Sequence, residues 1–407
     1  MAPLEPASRP APAQEAPSSR RRRLWRIARW AALAVVGLFA LAWVASGDVR
    51  YLVRAAIEEA RILRARRPIA RVAEDRTISP RLRASLGLVV AARDYAARLG
   101  LEAKETYTTY ADVGRDTLLL VLSAAPRDCL CPYRWHYPIV GRVPYKGFFD
   151  VAMAKDAAAD LARKGYDVNL RPAGAFSTLG WFNDPLLSTA LTRDSVELAA
   201  TVFHEIAHNT LWVKGAVAFN ESYAQYVGYH AAADFFAARG DSALARRALA
   251  RWHDEMLLAD YYRALVNRLE HLYALRLPPA GVDSGRTAAA EWARAVLQDS
   301  VGPRLETFKV GRLAARPINN ARLIGVLLYR TRLDLFQAWH EHEGGDLRRS
   351  VADLTRLMEG AEAPKTSDTT RAAGHDPGSD VAFARLARAV GGPAGPADQT
   401  ATGPASP

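Results

Sequence analysis

The chain has 407 residues, of which 50% are hydrophobic and 24% charged, and its net charge at pH 7 is +11. This length suits one large or two medium domains, and the apolar fraction is ordinary for a globular protein with one membrane segment. Much of the positive charge lies between Arg20 and Arg29, and the sequence has no RNA-binding or helix-turn-helix signature. We therefore expect no nucleic-acid partner.

The N-terminal segment, residues 1–29, is rich first in Pro, Ala and Ser and then in Arg, and we predict it to be disordered. An uncharged apolar stretch follows at residues 30–46, with Trp30 and Trp43 near its ends. Its length is close to the minimum of about 17 residues that a membrane-spanning helix needs. Because the arginines precede the span, we expect a single-pass signal anchor with the rest of the chain outside the cytoplasm.

A cleaved signal peptide is the main alternative for this stretch, since Val44-Ala45-Ser46 resembles a small-residue cleavage site. A buried core helix is the weaker alternative. The region contains no cysteine, so a lipoprotein anchor is not indicated.

The two cysteines of the chain, Cys129 and Cys131, are separated by one residue. A disulfide between them would close a very tight ring, and two thiols alone are too few ligands for a metal site. We favour two free loop thiols, with a disulfide formed outside the cytoplasm as the alternative.

Residues 47–360 are predicted to form one folded domain that is mainly helical. Short apolar or alternating segments at residues 117–125, 135–140, 147–151 and 166–171 indicate strands between helical patterns. The predicted fold class is therefore α+β, mainly α with a small β-sheet. The tail, residues 361–407, is rich in Pro, Gly, Ala and Thr, and we predict it to be disordered.

The strongest chemical signal is the HExxH motif that begins at His204 and ends at His208. Residues four apart share one face of a helix, so both imidazoles can reach one cation. Glu205 lies about 100° further round the helix, where it could contact a water molecule rather than take a ligand position. Two His ligands and a Glu base are typical of zinc metalloproteases.

The flanking sequence predicts a pair of helices around this motif. Asp194 and Glu197 form a potential capping box, and Gly215 is a suitable stop. We expect Asn220 to cap a second, antiparallel helix and to place Glu221 in its first turn, facing the histidines. His204, His208 and Glu221 would then hold Zn²⁺ as a His₂Glu set.

The competing interpretation is a chance motif with two surface histidines on an ordinary helix. The rest of the helix is apolar, however, and polar groups in a packed region need partners. A second cluster, His340 to Glu343, does not suit a metal site, because its two histidines are two residues apart and point to opposite sides of a helix.

HEIAHN followed by WVKGAVAFNESYAQYV closely resembles the pattern HELAHQ … YVKGDTAFNESFA of the bacterial predicted aminopeptidase family, zinc-dependent peptidases of gluzincin type. Further similar blocks are Arg66–Ile69, Pro144–Asp150, Phe176–Thr189 and Pro317–Leu323. The resemblance implies a zincin-like fold, zinc at His204, His208 and Glu221, Glu205 as the base, and a bacterial inner-membrane location facing the periplasm. The chain departs from the pattern at Ala216, where the family has Asp.

The sequence thus predicts a zinc peptidase that acts on peptides, whereas the aminopeptidase assignment depends on the resemblance alone. The block Phe176–Thr189 could line a cleft in which an edge strand pairs with the substrate, or it could be a structural loop. A second electrophile usually assists zinc, and the candidates are Tyr223, Tyr229, Arg322 and Tyr329. The alternatives are a zinc hydrolase of a non-peptide or cell-wall amide, and an inactive membrane-tethered binding domain.

Overall fold

The computed structural model describes residues 19–137, 141–174, 185–361 and 377–391. The chain divides into two compact units, Met1–Glu58 and Glu59–Pro407. Each unit is described by itself.

The N-terminal unit contains helix α1 (Ser19–Ala45) and the first part of α2 (Gly47–Arg64). Within α1, Arg23–Ala45 is long and apolar enough to cross a membrane, although a signal sequence would meet the same criteria. The helix already begins at Ser19, so the disorder predicted for residues 1–29 is wrong for their arginine-rich part. Arginine is a good helix former, and Leu24, Trp25 and Ile27 extend the apolar pattern toward the N-terminus.

The second unit is mainly helical, as the sequence predicted. Its helices are α3 (Ile69–Glu74), α4 (Pro80–Arg98), α5 (Val151–Arg163), α6 (Ser195–Thr210), α7 (Val217–Ala238), α8 (Ser242–Ala274), α9 (Pro279–Val296), α10 (Val310–Ala314), α11 (Asn320–Leu327), α12 (Leu333–His342), α13 (Leu347–Leu357) and α14 (Pro377–Ala389).

The strands form three small sheets rather than one. They are β1 (Arg67–Pro68), β2 (Thr109–Ala111), β3 (Leu119–Ala125), β4 (Trp135–Tyr137), β5 (Gly141–Val143), β6 (Lys146–Phe148), β7 (Asp167–Ala173) and β8 (Leu186–Leu187). β2 pairs antiparallel with β1 and parallel with β8, and β3 lies between the antiparallel strands β6 and β7. β4 and β5 pair with each other.

Helix α7 is the centre of the main core. It is apolar around almost its whole circumference, which is the pattern of a fully buried helix. Helix α6 packs along it, and α4, α8, α12, α13 and α14 also contact it. Helix α11 packs instead on the sheet of β3 and β7, where the Asn319 amide donates to the carbonyl of Val168 at 3.0 Å.

Helix α14 lies within the tail for which we predicted disorder, and that prediction is wrong for Pro377–Ala389. Its Phe383 ring packs against Phe219 and Phe336, with centroids 5.3 and 6.2 Å apart. The overall composition of the tail did not indicate that this short helix has an apolar face, whose residues Ala382, Phe383, Leu386 and Ala387 are all buried. The remaining residues of the tail, 362–376 and 392–407, lie outside the described part of the chain.

Cys129 and Cys131 are joined in a disulfide, so the interpretation as two free thiols is wrong. Their Cα atoms are 5.2 Å apart. This separation falls inside the usual range of about 4.4–6.8 Å for bridged cysteines, so one intervening residue is enough to allow the bond.

Candidate metal centre

Helix α6 carries both histidines of the HExxH motif, one turn apart. The Asp194 carboxylate caps the helix by accepting hydrogen bonds from the backbone N–H groups of Val196 and Glu197, at 3.0 and 3.4 Å. This N-cap is the one that the sequence predicted. Glu197 does not complete a capping box, since its carboxylate forms an ion pair with Arg251 at 2.9 Å.

Helix α7 begins earlier than expected, at Val217, with Ala216 in the N-cap position. Asn220 is therefore inside the helix, and Glu221 lies in its second turn. The prediction that Asn220 is the cap is wrong, because the N–H of Phe219 is satisfied by the hydroxyl of Ser379 in α14, at 2.9 Å. Ser379 is far from Phe219 in the sequence, so the residues around Asn220 do not indicate this contact.

The fully buried Asn220 side chain instead closes the turn between the two helices. Its carboxamide oxygen accepts the N–H of Val213 at 2.9 Å, and its amide nitrogen donates to the carbonyl of Val213 at 2.8 Å. The side chain thus mimics a backbone pairing partner and fixes the path of the chain between α6 and α7.

Gly228 determines how closely α7 approaches α6, and sequence reasoning did not identify it. A Cβ atom here would lie 2.9 Å from the carbonyl oxygen of Ala200 and 3.5 Å from the Cβ of His204. Only glycine permits this approach without a backbone shift. The glycine inside an otherwise bulky apolar helix was the available signal.

The two helices bring His204, His208 and Glu221 together. A Glu221 carboxylate oxygen lies 3.4 Å from Nε2 of His204 and 3.8 Å from Nε2 of His208. One potential ligand atom from each residue can be chosen so that all three lie within 4.8 Å of one another. Tetrahedral zinc with bonds of about 2.1 Å requires ligand atoms about 3.4 Å apart, so this set fits zinc with small side-chain movements.

The protonation states of these residues also suit a divalent cation. Burial, and then the charge of His204, lowers the pKa of His208 to about 4, so this imidazole is neutral at pH 7. Burial alone would raise the pKa of Glu221, but the hydrogen bond with His204 and the charges of both histidines outweigh it and lower the pKa. A neutral imidazole and an ionised carboxylate are the forms in which these side chains bind metals.

Tyr329 is the one of the four candidate electrophiles that the structure places beside the histidines. Its ring centroid lies 6.1 Å from that of His204, with the planes tilted by 32°. Burial, followed by the charge of Glu221, raises its pKa, and Glu205 adds to this shift. The Tyr329 hydroxyl is therefore protonated at neutral pH.

The other three candidates have different surroundings. The Arg322 guanidinium is directed at the hydroxyl of Tyr262, at 3.4 Å. Tyr223 is completely buried, with its ring 6.3 Å from that of Phe336. The Tyr229 hydroxyl donates to Glu197 at 3.4 Å. None of these contacts is with His204 or His208.

Most of the upstream block Phe176–Thr189 falls on residues 175–184, which lie outside the described part of the chain. The role predicted for it in a substrate cleft stays a prediction. At its end, the hydroxyl of Thr189 donates to the carbonyl of Gly174 at 2.6 Å.

Comparison with known proteins gives one match. The model of a family described as "Putative aminopeptidase" matches residues 50–368. No curated protein and no solved structure matches the chain.

Proposed function

The chain belongs to this aminopeptidase family, and on that premise we propose that it is a membrane-anchored, extracytoplasmic zinc peptidase that acts on the amino end of peptides. The observation that carries the proposal is the convergence of His204, His208 and Glu221 to within 4.8 Å, beside Glu205 and Tyr329. The family supports peptidase activity, and the chemistry of the three donors supports zinc as the metal.

The three donor side chains would hold the metal and leave one position open, since all three are partly exposed. A zinc ion bound there would supply Lewis acidity toward the peptide carbonyl and toward a water molecule.

Glu205 is proposed as the general base. It follows His204 directly in α6, so its carboxylate points about 100° away from that ligand and is not directed at the same position. From there it takes the proton of the attacking water and passes it to the departing amine. A carboxylate suits both steps, because it can hold the proton between attack and bond cleavage.

Tyr329 is proposed as the hydrogen-bond donor to the oxyanion that develops on the peptide carbonyl. Tyr329 is half-buried, and its hydroxyl keeps its proton at neutral pH because burial, and then the charge of Glu221, raise its pKa. A preorganised donor of this kind is worth about 2.7–4 kcal/mol of transition-state stabilisation.

The membrane location is supported by the apolar segment Arg23–Ala45, and its orientation by the arginines at the N-terminal end of that segment. Cell fractionation tests it. We expect the full-length chain in the membrane fraction and accessible to protease from the outside, and full-length protein in the soluble cytosol would contradict it.

The proposed activity is tested with the full chain purified in detergent and assayed on peptides with free and with acetylated amino ends. We expect zinc-dependent cleavage that prefers the free amino end. Glu205→Gln should keep its zinc but lose hydrolysis by a factor of about 10²–10⁴, because the proton acceptor is removed while the ligands stay.

Each other outcome of this assay has a distinct meaning. Undiminished hydrolysis by Glu205→Gln would contradict the role of Glu205. Equal cleavage of acetylated peptides would contradict the aminopeptidase assignment alone. If no peptide were cleaved but a cell-wall amide were, the protein would be a zinc hydrolase of another class.

A further inference from the structure

Two aromatic side chains are exposed in the described part of residues 59–391, Trp212 at 55% and Tyr145 at 51%. Trp212 contacts the ring of His208. A single exposed aromatic side chain is ordinary on a protein surface. One that touches a candidate metal ligand, however, is positioned to contact a molecule that binds at the metal centre.

Trp212 is the better placed of the two to meet a substrate. It follows α6 directly, and its indole meets the His208 imidazole edge to face, with centroids 5.4 Å apart and planes at 73°. A peptide whose carbonyl lies at the metal centre would therefore bring a neighbouring side chain onto the indole.

The backbone next to Trp212 is held firmly. Asn220 binds both the N–H and the carbonyl of Val213, and the hydroxyl of Thr210 accepts the N–H of Glu102 at 2.9 Å. The indole is thus presented on a fixed turn, and little conformational freedom remains to be lost when a ligand packs against it.

We propose that Trp212 forms the wall of an apolar subsite, which accepts a large apolar or aromatic side chain on a residue flanking the cleaved peptide bond. This inference rests on the proposed peptidase function and names its substrate class.

The test measures binding separately from cleavage. The probes are the dipeptides Phe-Ala, Ala-Phe and Ala-Ala, titrated calorimetrically into the full-length Glu205→Gln protein loaded with zinc. We expect one of the two Phe peptides to bind about tenfold more tightly than Ala-Ala, since burial of the phenyl ring on the indole removes apolar surface from water. The same preference should appear in kcat/KM of the protein with Glu205 intact.

Adding Trp212→Ala should remove this preference, whereas Trp212→Phe should retain most of it. Leu249→Ala is the matched control, because Leu249 is 46% exposed and lies on α8, which carries none of the three candidate ligands. It should leave the preference unchanged.

Equal binding of all three dipeptides, or a preference that survives Trp212→Ala, would overturn the inference. If the Trp212-dependent preference is found in binding while the protein with Glu205 intact cleaves none of the peptides, the subsite stands and the proposed function is wrong.

Discussion

Among its described residues, the second unit contains two pairs of histidines in ring contact, and one of these two pairs is suited to hold a metal. The first pair is His204 with His208, whose ring centroids are 4.9 Å apart. The second is His230 with His340, at 4.2 Å. Burial lowers the pKa of His208 to about 4 and that of His230 to about 3, and it also lowers the pKa of His340. Burial and neutrality therefore do not distinguish a metal centre from a core contact.

The neighbours of the two pairs do distinguish them. Glu221 lies within 3.8 Å of both histidines of the first pair, and all three side chains are partly open to solvent. The second pair has aromatic neighbours instead. Tyr226 shares a hydrogen bond of 2.8 Å with Nδ1 of His340, and the Trp252 ring lies 5.4 Å from that of His230.

Within the described residues, no carboxylate lies close enough to His230 and His340 to complete a group of three ligands. The comparison teaches that a nearby carboxylate converts a buried histidine pair into a candidate metal centre. Removing one histidine from each pair should therefore have very different consequences.

The largest difference is expected between His204→Ala and His230→Ala. His204→Ala should lose zinc and reduce hydrolysis to background, because two donors remain where three are required. His230→Ala should keep both zinc and activity but lose about 2–4 kcal/mol of unfolding free energy, as for other large-to-small core changes. Metal analysis, peptide hydrolysis and chemical denaturation measure these effects. Loss of zinc from folded His230→Ala would contradict the comparison.

A smaller difference is expected between the tyrosines that accompany the two pairs. Tyr329→Phe should lower kcat about 10²–10³-fold with zinc content unchanged, because one oxyanion donor is lost. Tyr226→Phe is the matched control. It removes a hydrogen bond to His340 and should cost about 1 kcal/mol of stability without changing kcat. Equal kcat values for Tyr329→Phe and the unmodified protein would exclude Tyr329 as the donor.

The smallest effect is a pH dependence that comes from the second pair. Burial, followed by the charge of His340, lowers the pKa of His230 to about 3, whereas the unfolded chain has the ordinary value near 6.5. Between these values the unfolded chain binds a proton that the folded chain does not, so stability falls as the pH falls. From pH 7 to pH 5 the loss amounts to about 2 kcal/mol.

His230→Phe should remove this loss while it preserves the packing against Tyr226 and Trp252. Asp234 titrates in the opposite sense, because burial and then the charge of Asp346 raise its pKa to about 6. Its contribution remains in the variant, so it cancels in the difference between the two pH profiles. Parallel profiles between pH 7 and pH 5 would show that His230 does not titrate in this way.

The sequence was informative wherever the signal was local. The spacing of His204 and His208 and the cap at Asp194 are contained in one short segment, and helix α6 follows from them. The stop predicted at Gly215 is wrong, because α6 already ends at Thr210, with Leu211 in an extended conformation as its C-cap. The sequence also predicted that Glu221 lies close to the two histidines, but it did so by assigning Asn220 an incorrect role as the helix cap. Asn220 instead binds the backbone of Val213 in the turn between the helices, and the sequence of neither helix alone indicates this contact.

The features that could not be predicted depend on contacts between residues distant in sequence. Helix α14 forms because Phe383 packs on Phe219 and Phe336, and Ser379 completes the first turn of α7. Tyr329 reaches the histidines because α11 packs on the sheet of β3 and β7. Helix α14 and Tyr329 are each positioned by a surface that another part of the chain forms. Composition and periodicity do not reveal such a surface.

The central claim is that the carboxylate of Glu221 turns a histidine pair into a zinc site, and the zinc affinity of Glu221→Ala tests it most directly. Titration of zinc into the apoprotein should give one tight site per chain for the unmodified protein. For Glu221→Ala we expect affinity lower by at least about 10²-fold, because one of three protein ligands is missing. Unchanged stoichiometry and affinity in folded Glu221→Ala would contradict the account.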